Sequence, residues 1–283
     1  MTLNALDLSL IPAPDAIMAV DHAVEVAAMK ADLIEAMPAL APVLALESEP
    51  LVKLIEVWAY EAILKANQIN QGVRAVLLTL ATGADLDNVA ANLGVVRQLD
   101  ETDERFRARA VLGPEGWSTA GPIGAYLFHS LSASPKVADV AVSSPEPGEV
   151  RVAVLSTAED GVADGDLLGV VFAALTAEDV RPLTDNLLVV SASVVSYDVT
   201  ATAQVLAGPD AGPITTLMTA AVEAYALSRR KLNRGVTRAG LIAALMQAGV
   251  EDVQLTSPVA DIAAAPETAP VLGAINLTLE VVA

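Results

Sequence analysis

The chain has 283 residues, of which 54% are hydrophobic and 18% charged, a composition typical of folded domains rather than of a disordered chain. Its formal net charge of −19 disfavours binding to the phosphates of nucleic acids and to anionic membrane surfaces. The absence of cysteine excludes disulfides, thiolate metal sites and cysteine nucleophiles.

The N-terminal segment, MTLNALDLSLIPAPDA, contains neither a basic stretch nor a long apolar one, so it does not resemble a secretory signal. No stretch has the length and apolar character of a membrane span. The longest promising uncharged run, residues 116–135, is interrupted by Gly, Pro, Ser and His. We therefore expect a soluble protein that is made in a cytoplasm.

Two helices are predicted in the first part of the chain. Residues 15–37 are rich in Ala, carry spaced charges and end before Pro38. The second helix follows Ser48, a candidate N-cap, and has Pro50 in its first turn. Its apolar stripe follows the helical repeat and comprises Leu51, Leu54, Ile55, Trp58, Ala59 and Ala62.

Such a stripe fits either packing within its own domain or a helical bundle between subunits, and the pattern alone favours the former. The candidate subunit contacts in this region are Leu51, Leu54, Ile55, Trp58 and Ala62. Two shorter helices are predicted downstream, at residues 86–93 and 101–112. The second of these begins with acidic residues and continues with arginines, an order that suits the helix dipole.

From residue 119 onward, predicted helices alternate with predicted strands. The helices cover residues 120–131, residues 164–177, a segment that starts at Pro213, and a segment capped by Thr237. The strands cover residues 137–143, 150–155, 187–195, 197–206, 253–256 and 275–282. We therefore predict an α+β fold, in which an N-terminal helical region is followed by small duplicated helix-plus-hairpin α+β domains.

The duplication rests on an internal repeat. Residues 119–145 and 237–258 each begin with Thr, continue as a helix and end in the pattern D-V-x-[VL]-x-S-P. A glycine and another strand follow each copy, which predicts a helix packed on a β-hairpin, with residues 259–270 as a long hairpin loop in the second copy. The predicted division is a helical wedge core region at 1–80, a helical linker at 81–118 and two α+β domains at 119–196 and 197–283.

No catalytic or metal-binding motif is found in the sequence. His22 and His129 have no metal-ligand spacing, so each is expected at the surface or hydrogen-bonded within the fold. The segment EDGVADGDLLG at 159–169 lacks the spacing of a calcium loop, and a turn with an Asp that caps the next helix is favoured. We predict that the chain is not an enzyme and holds no cofactor or metal.

One charge cluster stands out in this acidic chain. Five of the 16 basic residues lie within ten positions of the sequence: Arg229, Arg230, Lys231, Arg234 and Arg238. Two interpretations remain open. The cations can complement a helix C-terminus and a solvated loop, or they can contact an acidic patch on a neighbouring subunit.

An ordered set of motifs covers roughly residues 75–283. A G-x-x-L-D-x-x-A…G…R segment comprises Gly83, Leu86, Asp87, Ala90, Gly94 and Arg97, and an E-x-D-x-x-[FY]-R-x-R segment comprises Glu101, Asp103, Phe106, Arg107 and Arg109. A helix after Thr119–Gly121, a V-x-D-V-x-V strand at 137–142, a valine-rich strand at 148–155 and V-R-P-L-T-D at 180–185 follow in order. In these motifs and their order, the chain resembles the baseplate J-like family.

The resemblance implies a structural wedge subunit in the baseplate of a contractile phage tail or a related injection system. Such a protein is assembled in the host cytoplasm and resides in the tail baseplate of the virion. The resemblance further implies that two copies join a smaller wedge protein through their N-terminal helices. Six such wedges would close a ring around the central hub and tube, with the sheath as a further neighbour, and no catalysis is attached to the fold.

Two other classes of function remain as alternatives. One is a hydrolase with an unrecognised carboxylate site, which clustered acids with perturbed pKa values in a deep cleft would favour. The other is a β-rich receptor-binding or adhesin module, which an exposed aromatic groove would favour. An aromatic content of 3% makes such a groove a poor fit to this chain.

Overall fold

The computed structural model describes residues 8–118, 121–178, 180, 182, 185–206 and 212–282. The chain divides into two compact units. The helical unit comprises Thr2–Arg97 and Thr102–Val111, and the sheet unit comprises Gln98–Glu101 and Leu112–Ala283. The fold class is α+β as predicted, with an N-terminal helical region and two small three-stranded sheets in the described part of the chain.

The helical unit consists of helices α1 (His22–Ala36), α2 (Ala41–Leu44), α3 (Pro50–Ala75), α4 (Gly83–Ala91) and α5 (Asp103–Val111). The first helix starts later than predicted because the Asp21 carboxylate caps it, accepting hydrogen bonds from the amides of Ala23 and Val24. The second predicted helix, α3, has Pro50 in its first turn as expected. Ser48 is not its cap, since Glu49 occupies that position without a side-chain hydrogen bond.

Helix α3 is 26 residues long and packs against α1 along one of its faces. Its buried residues there are Val52, Ile55, Ala59 and Asn70. The Asn70 side chain both accepts from the amide and donates to the carbonyl of Met18, so this buried polar group is satisfied. Helix α1 itself has no fully buried residue, and this layer of the protein is therefore thin.

The sheet unit contains α6 (Ile123–Ala133), β1 (Val137–Ser143), β2 (Glu149–Ser156), α7 (Gly165–Leu175), β3 (Asn186–Ser191), β4 (Ser193–Leu206), α8 (Gly212–Arg229), α9 (Arg238–Leu245), β5 (Val250–Ser257) and β6 (Thr268–Val282). The predicted interruption between the third and fourth strands lies at Ala192 rather than at residue 196. Thr119, which the repeat uses as its start, and Arg181, Leu183 and Thr184 of the V-R-P-L-T-D motif lie outside the described residues.

The first sheet has the order β1-β2-β3, with β1 antiparallel and β3 parallel to the central β2. In the second sheet the order is β5-β4-β6, with β5 antiparallel and β6 parallel to the central β4. The hairpin β1–β2 is formed as predicted, across the turn-rich residues between Ser143 and Glu149. Both sheets therefore have one antiparallel and one parallel neighbour around a central strand.

The predicted second hairpin is wrong. Strands β5 and β6 run in opposite directions, as in a hairpin, but β4 lies between them. The strand β4 is central because it pairs with β5 along one edge and β6 along the other, and its alternate residues from Tyr197 to Val205 are buried in the core. The connection between β5 and β6 crosses from one edge of the sheet to the other. Near its middle, Ile262 forms an antiparallel β-bridge with Val236.

The repeat therefore holds for the helix–strand pairs α6–β1 and α9–β5, in each of which the strand lies antiparallel to the centre of its sheet. It fails for the strand that follows, because β2 is a central strand and β6 is an edge strand. The two sheets have separate cores, and a third cluster of buried residues joins them: Ala141, Ala153, Leu155, Ala192, Leu232 and Ala269.

Candidate assembly surfaces

The motif between Gly83 and Arg109 forms an ion-pair cluster in the helical unit. The Arg97 guanidinium lies 2.6 Å from Asp87 Oδ1 through Nε and 2.8 Å from Asp103 Oδ1 through Nη2. The Gly83 amide donates to Asp103 Oδ2 at 2.9 Å. This amide, together with Arg97, lowers the pKa of Asp103, so the carboxylate that ties α5 to the start of α4 is held in its ionised form.

The aromatic residue of the motif, Phe106, is fully buried beneath two arginines. The guanidinium carbons of Arg97 and Arg109 lie 4.5 and 5.5 Å from the centre of its ring. The other motif arginine, Arg107, donates to the carbonyl groups of Leu78 and Ala81. These motif residues hold the α4–α5 segment together through contacts within the unit.

Helix α3 has a second apolar face that its own chain leaves exposed. The face that packs on α1 contains Val52, Ile55 and Ala59. Besides Tyr60, the exposed large apolar residues of this segment are Leu54, Val57, Trp58, Leu64 and Ile69, followed by Val76 at the C-cap. The exposed Glu61 and Lys65 lie on the same side, so these apolar residues form a candidate contact surface with charged side chains between them. We refer to these six residues as the α3 outer face.

The predicted stripe is divided between the two faces of α3. Ile55 is 1% exposed and faces α1, whereas Leu54 and Trp58 are 43% and 56% exposed and belong to the outer face. Leu51 and Ala62 are partly buried between them. The structure therefore does not bring the five predicted contact residues together on one surface.

Three residues of the basic cluster are engaged within the chain. The Arg230 guanidinium donates to the carbonyls of Ser156 and Ala158, and that of Arg238 donates to the carbonyls of Leu255 and Pro258. The Arg229 guanidinium lies 5.6 Å from the centre of the Tyr225 ring. These interactions serve the fold whether or not a neighbouring subunit is present.

The other two cations, Lys231 and Arg234, have exposed side chains near the largely buried Asp139. Asp139 Oδ2 accepts from the Leu232 amide at 2.8 Å and its Oδ1 from the Val140 amide at 2.9 Å, which joins β1 to the loop after α8. Burial raises the pKa of Asp139, against the opposing effect of these amides and of the two cations.

Neither histidine lies near a cluster of metal ligands. His22 Nε2 is 3.2 Å from the carbonyl oxygen of Glu56, and His129 Nε2 is 3.3 Å from that of Gly116. Asp164 caps α7 as predicted, accepting from the Leu167 amide at 2.7 Å. Across the described ranges, no group of three or more His, Asp or Glu side chains is placed to hold a metal ion.

The sheet unit has an open groove of about 400 Å³ between α8 and β6. Its lining comprises Glu159, Glu223, Ala226, Leu227, Arg230, Val271 and Leu272. Both glutamates are exposed, and the buried Asp139 lies elsewhere. The groove therefore lacks the enclosed carboxylates that the hydrolase alternative would require, and its lining has no aromatic residue of the kind an adhesin would require. Among the helices that the structure describes, none has the length and hydropathy needed to cross a membrane.

Comparison with known proteins adds three family matches in the order of the chain. Residues 47–102 match the baseplate J-like N-terminal domain, residues 118–191 the central domain and residues 197–278 the C-terminal domain. The chain is also 40% identical, over 277 residues, to the baseplate protein J of Escherichia phage P2, and the match covers 91% of this chain and 92% of that protein. The chain belongs to the baseplate J-like family.

As a baseplate J-like protein, the chain is a structural component of the tail baseplate of the virion. The match to the N-terminal domain includes α3 and α4, and therefore the outer face of α3. Sequence reasoning missed four residues of that face, which are Val57, Leu64, Ile69 and Val76. Their apolar character is visible in the sequence, but they lie outside the predicted stripe.

Proposed function

We propose that this chain is a wedge subunit of the baseplate of a contractile phage tail or a related injection machine. In this role it joins a second copy and a smaller wedge protein through the helical region at residues 1–80. Residues 81–118 connect this region to two α+β domains at 119–196 and 197–283. Six wedges then close a ring around the central hub and tube, with the sheath beside it.

The observation that carries this proposal is the outer face of α3. Five of its six apolar residues lie in the 26-residue α3 and Val76 follows at the C-cap, and all six are exposed, whereas Val52, Ile55 and Ala59 of the same helix are buried. Exposure of these apolar side chains to water is unfavourable. A helix from a partner chain, with apolar residues at 3- and 4-residue spacing, would pack on them and remove them from water. No other element in the described part of the chain covers these six side chains.

Only two of the five residues of the basic cluster are part of the proposed subunit contact. Arg229, Arg230 and Arg238 have contacts within the chain, so we assign the contact with an acidic patch of a neighbouring wedge to Lys231 and Arg234. In an assembly of chains that each carry a net charge of −19, two exposed cations provide local attraction and orient the approach of the neighbour.

The test is a matched pair of Val→Glu substitutions in the full chain. Val57 is 58% exposed on the outer face of α3, and Val259 is 90% exposed in the connection after β5. Each variant is co-expressed with the other proteins of the same tail, and co-assembly is measured by sedimentation. We expect Val57→Glu to lose assembly because it places a charge in an apolar interface, while Val259→Glu assembles normally.

Both variants must retain the circular dichroism and thermal transition of the parent chain, so that lost assembly is not lost folding. If Val57→Glu co-assembles as well as Val259→Glu, the outer face of α3 is not the wedge contact. A Lys231→Ala, Arg234→Ala double variant tests the basic contact separately, since weaker assembly is then expected chiefly at low salt.

A further inference from the structure

One edge of the second sheet is open over a long stretch. Strand β6 is 15 residues long, pairs with β4 as far as Leu206 with Val282, and has no other strand neighbour in the described part of the chain. Within that part, residues 275–282 make no backbone hydrogen bond to any element besides β4. Their outward amide and carbonyl groups are therefore available to a further strand.

The other described sheet edges are shorter or irregular. The register of β1 shifts between Val137 and Asp139. That of β5 shifts near both of its ends, and β5 carries the charged residues Glu251 and Asp252. The remaining edge strand, β3, has six residues. Such features protect an edge against pairing with another chain.

The first half of β6 is protected in the same way, by Pro270 and by an irregularity between the partners of Tyr197 and Val199. Residues 275–282 have neither feature, and Glu280 is their single charge. The part of β6 without protection is therefore a regular, nearly uncharged edge in a strongly acidic protein.

The side chains of this segment are arranged for a further strand. Ile275, Leu277 and Leu279 pack on the core of the second sheet but are only partly buried, because no strand covers their outer side. Asn276, Thr278 and Glu280 alternate with them on the opposite, exposed face. A strand added at this edge would extend both the apolar and the polar face.

We propose that β6 of a second copy pairs antiparallel with this edge, about a two-fold axis that passes beside Thr278. In this register Ile275 lies opposite Val281 of the second copy, and Leu277 opposite Leu279. Asn276 lies opposite Glu280, so no carboxylate faces another carboxylate. Apolar residues meet apolar ones and polar residues meet polar ones at every position from 275 to 281.

This self-complementarity is the reason to assign the edge to a second copy rather than to a different protein. A register centred on Leu279 would place Asn276 opposite Val282, and one centred on Glu280 would place like charges directly opposite. The pairing joins two three-stranded sheets into one of six strands. It uses a surface separate from the outer face of α3, so its failure would leave the wedge proposal standing.

Because the chain has no cysteine, single substitutions can test the axis directly. Opposite residues in an antiparallel pair have Cα atoms roughly 4.5–5.5 Å apart, within the range that a disulfide spans. Thr278→Cys is therefore expected to form a disulfide-linked dimer under mild oxidation. Asn276→Cys is the matched control, because two copies of residue 276 would lie roughly 13 Å apart along the strands.

Equal dimer yields from the two cysteine variants, or no dimer from Thr278→Cys, would overturn the proposed register. A second pair of variants, with lysine substitutions, measures non-covalent dimerisation. Thr278→Lys places two lysines opposite each other and should weaken dimerisation about twofold to fivefold, whereas Asn276→Lys faces Glu280 of the other copy twice and should strengthen it by about the same factor.

Sedimentation equilibrium of the full chain, at concentrations up to about 100 µM and at low and high salt, distinguishes these outcomes. Both lysine variants add the same charge at an exposed position of the same strand. Opposite shifts of the dimer dissociation constant support the pairing. Equal shifts, or a parent chain that remains monomeric throughout, contradict it.

Discussion

The layer formed by α1 and α3 and the second sheet differ in how completely the chain covers its own apolar surface. In the α1–α3 layer, the cluster of fully buried residues contains only Leu44, Val52 and Ile55, and one face of α3 is left exposed. The second sheet buries 14 residues in one cluster, from Tyr197 in β4 to Leu255 in β5. The sheet is therefore stabilised chiefly from within, whereas the helical layer has unused contact surface.

This difference indicates where assembly can contribute stability. Burial of apolar surface is the dominant favourable term in both folding and association, so a face that folding leaves exposed is available for binding. The outer face of α3 is such a surface in the helical layer. In the described part of the second sheet, the longest regular open edge is that of β6, and there the available groups are mostly backbone amides and carbonyls.

The largest expected contrast is between two leucines. Leu241 in α9 is fully buried in the second sheet's core, and Leu241→Ala should lower the free energy of unfolding by about 2–5 kcal/mol. Leu54 on the outer face of α3 is exposed, and Leu54→Ala should change it by less than about 0.5 kcal/mol in the isolated chain. Urea unfolding at low protein concentration measures both, and comparable losses would mean that α3 is covered within a single chain.

A smaller effect is expected at two helix caps, one in each unit. Asp21 caps α1 and Asp164 caps α7, and each change to Ala should cost about 1 kcal/mol. The chain has one tryptophan in each unit, Trp58 in α3 and Trp117 before α6, so Trp→Phe variants allow their unfolding to be followed separately. Asp21→Ala should shift the Trp58 transition and Asp164→Ala the Trp117 transition. If each variant shifts both equally, the two units unfold as one.

The smallest expected effect is an opposite pH dependence of two carboxyl groups. The pKa of Asp103 is lowered by the Gly83 amide and Arg97, so its contribution to stability is present above the unfolded pKa of about 3.9 and is lost as pH falls through the folded value. The pKa of Asp139 is raised by burial, so its contribution is present below the unfolded value and is lost as pH rises through the folded one.

Unfolding free energies of the parent chain are to be compared with those of Asp103→Asn and Asp139→Asn between about pH 3 and pH 7. The stability advantage of the parent over Asp103→Asn should shrink toward acid, and its advantage over Asp139→Asn should shrink toward neutrality. If the stability differences from the parent change with pH in the same direction for both variants, the pKa values of Asp103 and Asp139 are not shifted in opposite directions.

The sequence by itself determined the local elements and the family. The 3- and 4-residue spacing in α3 and the Thr237 cap each depend on neighbours within one element, so a pattern in the chain can reveal them. The order of the motifs over roughly residues 75–283 likewise carries the resemblance, although the sequence alone does not show that Arg97 bonds Asp87 and Asp103.

Only the tertiary structure decided which residues of different elements contact one another. The sequence does not show that β4 separates β5 from β6, because strand order depends on contacts between segments that are distant in the chain. It does not divide the α3 stripe into a buried and an exposed face, since that division depends on where α1 packs. Arg230 and Arg238 appear free in the sequence, but their guanidinium groups bond carbonyl oxygens that folding places beside them, and backbone carbonyls have no sequence signature.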